Sequence, residues 1–353
     1  AYAGSPYCNS GTTASVTRTG SAGGTYSSNP LGLAINASSG AITLGSSAPG
    51  SYLVTYAIVA GSGCGSFSTT TTIVVTAAPN ATIAYNGSPY CSGGAMANVI
   101  RTGSTGGTYS ALPAGLMINA STGAINLSAS APGTYTVSYA ILAGGGCAAF
   151  STTASVTITA APNATIVYVG TPYCSSAGTG SVSFFGSAGG TYSALPAGLV
   201  INATTGLITL GTSTPGNYTV TYTIAAAGGC TAFSTTTPVT ITAAPSATIA
   251  YTGSPYCSGG ATATVTRTGS SGGIYSAVPA GLTLNASTGA ITLGTSDPGS
   301  YTVSYSIVAG GGCAAFSRSA AVVIGNAPSA VIAYAGSPYC SSGIVANVTR
   351  TGS

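Results

Sequence analysis

One pentapeptide, Gly-Ser/Thr-Pro-Tyr-Cys, recurs at Gly4–Cys8, Gly87–Cys91, Gly170–Cys174, Gly253–Cys257 and Gly336–Cys340, each copy 83 residues after the last. A second cysteine keeps the same period at Cys64, Cys147, Cys230 and Cys313. A fixed period of this size restricts the chain to an array of like units, because each repeat must be one folding element that also tolerates its neighbours. The 353 residues therefore divide into units at 1–79, 80–162, 163–245 and 246–328, with a partial fifth at 329–353. The connectors are Ala-Ala-Pro at 77–79, 160–162 and 243–245, with Asn326-Ala327-Pro328 as the variant. Proline removes a backbone donor and restricts its neighbour, so these are natural breaks between strands. Linkers this short predict consecutive units held in a nearly fixed relation.

Within the fourth unit the pattern is all-β. The sequence predicts strands at Thr248–Tyr251, Ala261–Thr268, Ile274–Ala277, Leu282–Asn285, Ala290–Leu293, Tyr301–Val308 and Phe316–Ile324. The clearest is Tyr301–Val308, where Tyr301, Val303, Tyr305 and Ile307 alternate with Thr302, Ser304 and Ser306. That period of two marks a half-buried strand. Ala286-Ser287-Thr288-Gly289 is a hairpin signal, and Pro238 demotes the last strand of the third unit to an edge or a bulge. No segment has a helical period. About seven short strands with turn signals between them predict a tandem array of antiparallel immunoglobulin-like β-sandwiches. The 22 tyrosines occupy five repeat positions, represented by Tyr251, Tyr256, Tyr275, Tyr301 and Tyr305. They read as core, with Tyr305 a candidate for a hydroxyl that bonds backbone.

The run Pro279–Ile291, followed by Pro298-Gly299-Ser300-Tyr301-Thr302-Val303, resembles the immunoglobulin-like and cadherin-like modules of large bacterial surface proteins. It looks especially like the tandem repeats of Bacteroidota secreted adhesins. The pattern returns at Pro113–Ile125 and Pro196–Ile208, and more loosely at Pro30–Ile42. The resemblance implies the sandwich fold and an extracellular setting. Such modules serve as spacers, adhesive tips and filament subunits alike, so it implies no single function. Cadherin-type calcium junctions need several carboxylates, and this chain has one acidic side chain, Asp297.

Charge narrows the chemistry further. Five arginines and Asp297 are the only charged side chains, and histidine is absent. General acid–base catalysis lacks its usual groups, so the sequence points to no enzyme and no cofactor. Nucleic-acid binding needs clustered cations, and the arginines are dispersed. Arg18, Arg101, Arg267 and Arg350 share one repeat position, where the third unit has Phe184. That exchange suggests a rim site with a packed stem and a hydrated guanidinium; a ligand-binding arginine is the sharper reading. No apolar run is long enough for a membrane-spanning helix. No signal peptide is visible at Ala1, which reads as a mature or trimmed start.

The nine cysteines read as an oxidised, extracytoplasmic set. Two thiols per unit without histidine make no metal site. Spacing permits pairs within a unit, Cys8–Cys64, Cys91–Cys147, Cys174–Cys230 and Cys257–Cys313. It also permits pairs between neighbours, Cys64–Cys91, Cys147–Cys174, Cys230–Cys257 and Cys313–Cys340, or bonds between chains. Sequence does not fix connectivity; the pairing within units is the expectation carried forward. Asn36, Asn119, Asn202 and Asn285 lie in Asn-x-Ser/Thr triplets at the predicted hairpin and are candidate glycan acceptors, although Asn-Ala-Ser-Thr-Gly is also good turn chemistry.

These features predict a secreted structural array, self-associating into an open polymer, fibre or adhesin stalk, with glycans as candidate partners. The alternative is an adhesive module that recognises carbohydrate or another surface through Thr/Tyr-rich strand faces such as Thr69–Thr72 and Thr235–Thr237. Ala1–Tyr2 correspond to Ala333–Tyr334, which predicts either a longer parent array or completion of a unit by strand addition.

Overall fold

A computed structural model describes residues 1–335, 338, 339, 341, 343 and 345–352. Its architecture is a tandem of β-sandwich repeats. By contact the chain gathers into two compact units, one of Ala1–Asn163 with Ala225–Phe233, the other of Ala164–Ile224 with the chain from Ser234 onward.

Repeat 2 shows the design. Its larger sheet has four strands in the order Tyr90–Cys91, Phe150–Thr159, Gly133–Ile141, Thr108–Leu112. The long pair is antiparallel, with Val137 opposite Ala154. Tyr135, Val137 and Tyr139 turn inward on one strand, and Val156 and Ile158 on the other. The opposing layer consists of two-stranded ribbons, Ala81–Ala84 with Ile100–Gly103 and Met96–Ala97 with Ile125–Asn126. Between the layers lies a core of Ile83, Tyr85, Tyr109, Ile125, Leu127, Tyr139 and Val156 with their neighbours. Each such aliphatic side chain contributes about 1.5–3 kcal/mol by leaving water. Separate cores of the same composition recur in repeats 1, 3 and 4.

The alternation predicted for the fourth unit is present in Gly299–Ile307, with Tyr301, Val303 and Tyr305 buried. Three predictions need correction. Leu282–Asn285 is not a strand, since only Leu284 bridges there, to Ile291. The run Ala261–Thr268 is not one strand: Thr262–Ala263 pairs with Ile291–Thr292, whereas Thr266–Gly269 pairs with Ala247–Ala250. The chain passes between two ribbons there, which interrupts the ladder. In addition, Tyr256–Cys257 forms a short strand parallel to the end of the last strand, Tyr256 opposite Ile324. The sheet is thus antiparallel except at this closing pair. Pro238 lies in Phe233–Thr242, whose short neighbour Tyr173–Cys174 reaches only Ile241 and Thr242. The proline therefore sits where that side of the strand has no ladder to lose.

Four tyrosines of each of repeats 1 to 4, represented by Tyr85, Tyr109, Tyr135 and Tyr139, are buried, whereas the motif tyrosine, Tyr90 in repeat 2, is half-buried. Tyr139 stacks at 4.7 Å on Tyr109; its hydroxyl accepts the Gly107 N–H at 2.8 Å and donates to the Ser104 carbonyl at 3.2 Å. Tyr305 makes the same contacts with Gly273 and Ser270. The hydroxyl that closes back on its own strand's approach, four residues earlier, is that of Tyr301, on the Asp297 carbonyl at 2.7 Å. Tyr85 donates to the Gly123 carbonyl at 2.5 Å, tying the first strand to the Asn-Ala-Ser-Thr-Gly hairpin. Gly123 itself has φ +74°, and a Cβ there would press on Val99 and the Tyr109 ring.

Candidate functional site: the cysteine junction between repeats

The Gly-Ser/Thr-Pro-Tyr-Cys turn lies beside the end of its own repeat's last strand, with Tyr7 opposite Val75 and Cys8 opposite Thr76. The second cysteine of the repeat, Cys64, precedes the start of that same strand, Phe67–Thr76. A ten-residue strand spans about 30 Å. The two cysteines of one repeat are therefore held at opposite ends of the sheet, far beyond the ~7 Å Cα separation that a disulfide allows.

The bonds that form join consecutive repeats instead. Cys8 pairs with Cys147, Cys91 with Cys230 and Cys174 with Cys313, each at a sequence separation of 139. Their Cα atoms are 4.6–4.7 Å apart. This corrects the predicted pairs Cys8–Cys64, Cys91–Cys147, Cys174–Cys230 and Cys257–Cys313, and also those 27 positions apart. Cys64 and Cys257 are exposed and free. Cys340 lies outside the described residues.

A glycine hairpin makes each bond. In repeat 2, the Gly144 and Cys147 backbones exchange hydrogen bonds of 3.1 and 2.9 Å. The hairpin tip rests on repeat 1: Gly145 (φ +60°) lies against the Thr76 side chain, and a Cβ on Gly146 (φ +77°) would overlap the Pro6 carbonyl. The Cys147 sulfur sits 3.6 Å from the Ala77 carbonyl oxygen. Gly228 and Gly229 meet Thr159 and Pro89 in the same way, as do Gly311 and Gly312 with Thr242 and Pro172. Cys147, Cys230 and Cys313 are buried at 6–7 % exposure. On the chain-entropy account, a disulfide closing a loop of this length stabilises by about 5 kcal/mol. A cavity of about 310 Å³ lies beside Cys91 and Cys230, lined also by Pro162 and Phe233.

The other predicted positions serve the sandwich. The Arg101 guanidinium stands 5.6 Å over the Tyr139 ring, and its Nη1 donates to the Ser104 carbonyl at 2.8 Å. Arg18 and Arg267 are placed alike on Tyr56 and Tyr305. These guanidiniums clamp the glycine loop as well as meeting solvent. In repeat 3, Phe184 covers Tyr222 edge-on at 5.2 Å. Asn36, Asn119, Asn202 and Asn285 are exposed. Each Oδ1 accepts the N–H groups two and three residues on, at 2.9 Å for both in Asn119.

Burial raises the pKa of the first-strand tyrosines: Tyr2 is pushed up to about 12, and Tyr85, Tyr168 and Tyr251 rise further. Among the described residues there is no cluster of metal-ligating side chains, and no helix is long and apolar enough to cross a membrane.

No family model matches the sequence, and no curated protein matches it. Among solved structures, the chain is similar to Drosophila N-cadherin EC1-4 at 10% identity and TM-score 0.31, covering 88% of this chain and 94% of that one. It is similar to the protocadherin gammaB7 EC3-6 cis-dimer structure at 13% identity and TM-score 0.31, covering 90% and 97%. Titin domains I67–I69, in a mutated variant, match at 10% identity and TM-score 0.35, covering 71% and 94%.

Proposed function

We propose that this chain is a structural extracellular protein, a tandem β-sandwich array that forms a surface filament or the stalk of an adhesin. The observation that carries the reading is the junction: three times, a hairpin of one repeat seats on the preceding repeat and is bonded to it. A single binding domain has no need of such a joint, whereas an array that fastens each repeat to the next does. Disulfides persist where the medium is oxidising, outside the cytoplasm. A near absence of charge removes repulsion between like units, which favours self-association into an open polymer. We read such an array as one on a bacterial surface without a catalytic role, a reading supported by the sequence resemblance and by the scarcity of acid–base side chains. Exposed Asn36, Asn119, Asn202 and Asn285 are its candidate glycan sites. Electron microscopy of the native material should show extended appendages with a regular repeat, and intact mass should exceed that of the bare sequence if glycans are attached. Dispersed, compact particles would count against the array reading.

A second reading, an adhesive module for carbohydrate or another surface, draws on the threonine-rich last strand, where Thr70, Thr72, Thr153 and Thr236 are exposed. Glycan-array binding that is lost in a Thr70→Val/Thr72→Val variant with unchanged melting would favour it.

A further inference from the structure

The three disulfide spans overlap along the sequence. Cys91–Cys230 begins before Cys8–Cys147 ends, and Cys174–Cys313 begins before Cys91–Cys230 ends. Every peptide bond between Cys8 and Cys313 thus lies inside at least one disulfide loop. One cleavage anywhere in that range leaves the chain covalently whole. Pairing within repeats would not do this, since a cut in any connector would part the chain.

Connectivity also defines a short covalent route. It crosses from Cys8 to Cys147, follows the backbone for 27 positions to Cys174, and crosses to Cys313. Much of that backbone is already drawn out, in Phe150–Thr159 and Ala164–Val167. Strand residues advance about 3.3 Å each, near the limit of a stretched chain. The alternative through Cys91–Cys230 runs 83 positions from Cys8 to Cys91 and 83 more from Cys230 to Cys313, so it stays slack while the short route is taut. The remaining residues of each sandwich hang from the short route as side loops that a pull along the chain does not enter.

We propose that the chain is a tension-carrying element in which one disulfide-and-strand track, through Cys8–Cys147 and Cys174–Cys313, rather than the folded sandwiches, takes the pull between Cys8 and Cys313. This deepens the structural reading above and rests on it. Its tests use isolated chains, so their outcome is separate from whether native material forms appendages.

The first test stretches single oxidised molecules of the full chain by handles at its two ends. The backbone between Cys8 and Cys313 then contributes no more than about 90–100 Å of contour. Steps from unfolding of whole sandwiches, about 280 Å each for a unit of this size, should be missing. Adding a phosphine reductant should restore them. Sandwich-length steps in the oxidised chain would overturn the proposal.

The second test places a protease site in the connector at 160–162, which only Cys91–Cys230 spans. After cleavage the chain should run at full mass on a denaturing gel without reductant, and as two fragments with it. The Cys91→Ser/Cys230→Ser variant should separate without reductant, and Cys8→Ser/Cys147→Ser should not. Separation of the cut wild-type chain without reductant would equally sink the idea, and neither result depends on how well a variant folds.

Discussion

The hairpins ending at Cys64 and at Cys147 are the same element in two settings. Both close with paired backbone hydrogen bonds, Gly61 with Cys64 and Gly144 with Cys147. In the second, Gly145 touches the Thr76 side chain, Gly146 has no room for a Cβ beside the Pro6 carbonyl, and the cysteine is buried and bonded. In the first, Ser62 takes the place of Gly145 at φ +51°, a Cβ on Gly63 would meet nothing within 4 Å, and the cysteine is exposed and free. The turn itself therefore accepts a side chain in the left-handed region. What excludes one at 145 and 146 is the neighbouring repeat. Glycine in this hairpin is a docking requirement more than a turning requirement.

The largest test of that contrast is valine at the third position. Gly146→Val should prevent seating on Pro6, leave Cys8 and Cys147 reduced, and cost about 4 kcal/mol or more through the lost cross-link and the overlap. Gly63→Val should cost only its left-handed strain, about 1–2 kcal/mol, with an unchanged thiol count. Thiol titration and denaturant melts read both; equal costs would break the comparison.

The cores of the two repeats should respond alike where the hairpins differ. Phenols whose folded pKa lies above the ordinary value of about 10 stabilise fully below it, and that stability is lost as pH rises through the folded value. Tyr2, held up to about 12, and Tyr85, held higher, both fall in this class. Melting temperature should stay level to about pH 10 and drop above it for both repeats, with little change toward acid in a chain with one acidic side chain. Tyr85→Phe should remove the bond to Gly123 at a cost of about 1 kcal/mol and blunt the alkaline limb, a change visible in the slope of melting temperature against pH.

The smallest effect belongs to the exchange at the hairpin's second position. Ser62→Gly should gain up to about 1 kcal/mol by relieving φ. Gly145→Ser should lose more than that, because the Thr76 side chain, 2.9 Å from the new Cβ, must turn aside in addition to the φ strain. A larger shift in urea midpoint at 145 than at 62 is the expected result; shifts of equal size and opposite sign would show that the neighbour is not the deciding factor.

The period and the alternation at Tyr301–Ile307 carried the sandwich, because both are written in single positions of the sequence. The pairing of cysteines was not legible for a geometric reason. Spacing invites bonds within 56 or 27 positions, yet the last strand holds one cysteine at each end, and the nearer partner belongs to the adjacent repeat. A sequence signal that does point there is the Gly-Gly before Cys147, Cys230 and Cys313, where Cys64 has Ser62-Gly63 instead. Tyr256–Cys257 escaped because two residues have no period. Arg101 was correctly placed at a rim, but its donation to a loop carbonyl needs the folded position of Ser104.

The motif's second residue has a consequence of another kind. Ser5, Ser88, Thr171 and Ser254 each accept, through the side-chain oxygen, an amide of the last strand: Val74, Thr157, Thr240 and Val323, at 2.9–3.0 Å. That strand is long, rich in β-formers, and flanked on this side only by a two-residue partner. Many proteins keep such an edge from recruiting foreign strands by planting lysines along it. This chain has no lysine to plant. It occupies the amide instead, so its protection against indiscriminate sheet growth is built from hydroxyls and should be indifferent to salt.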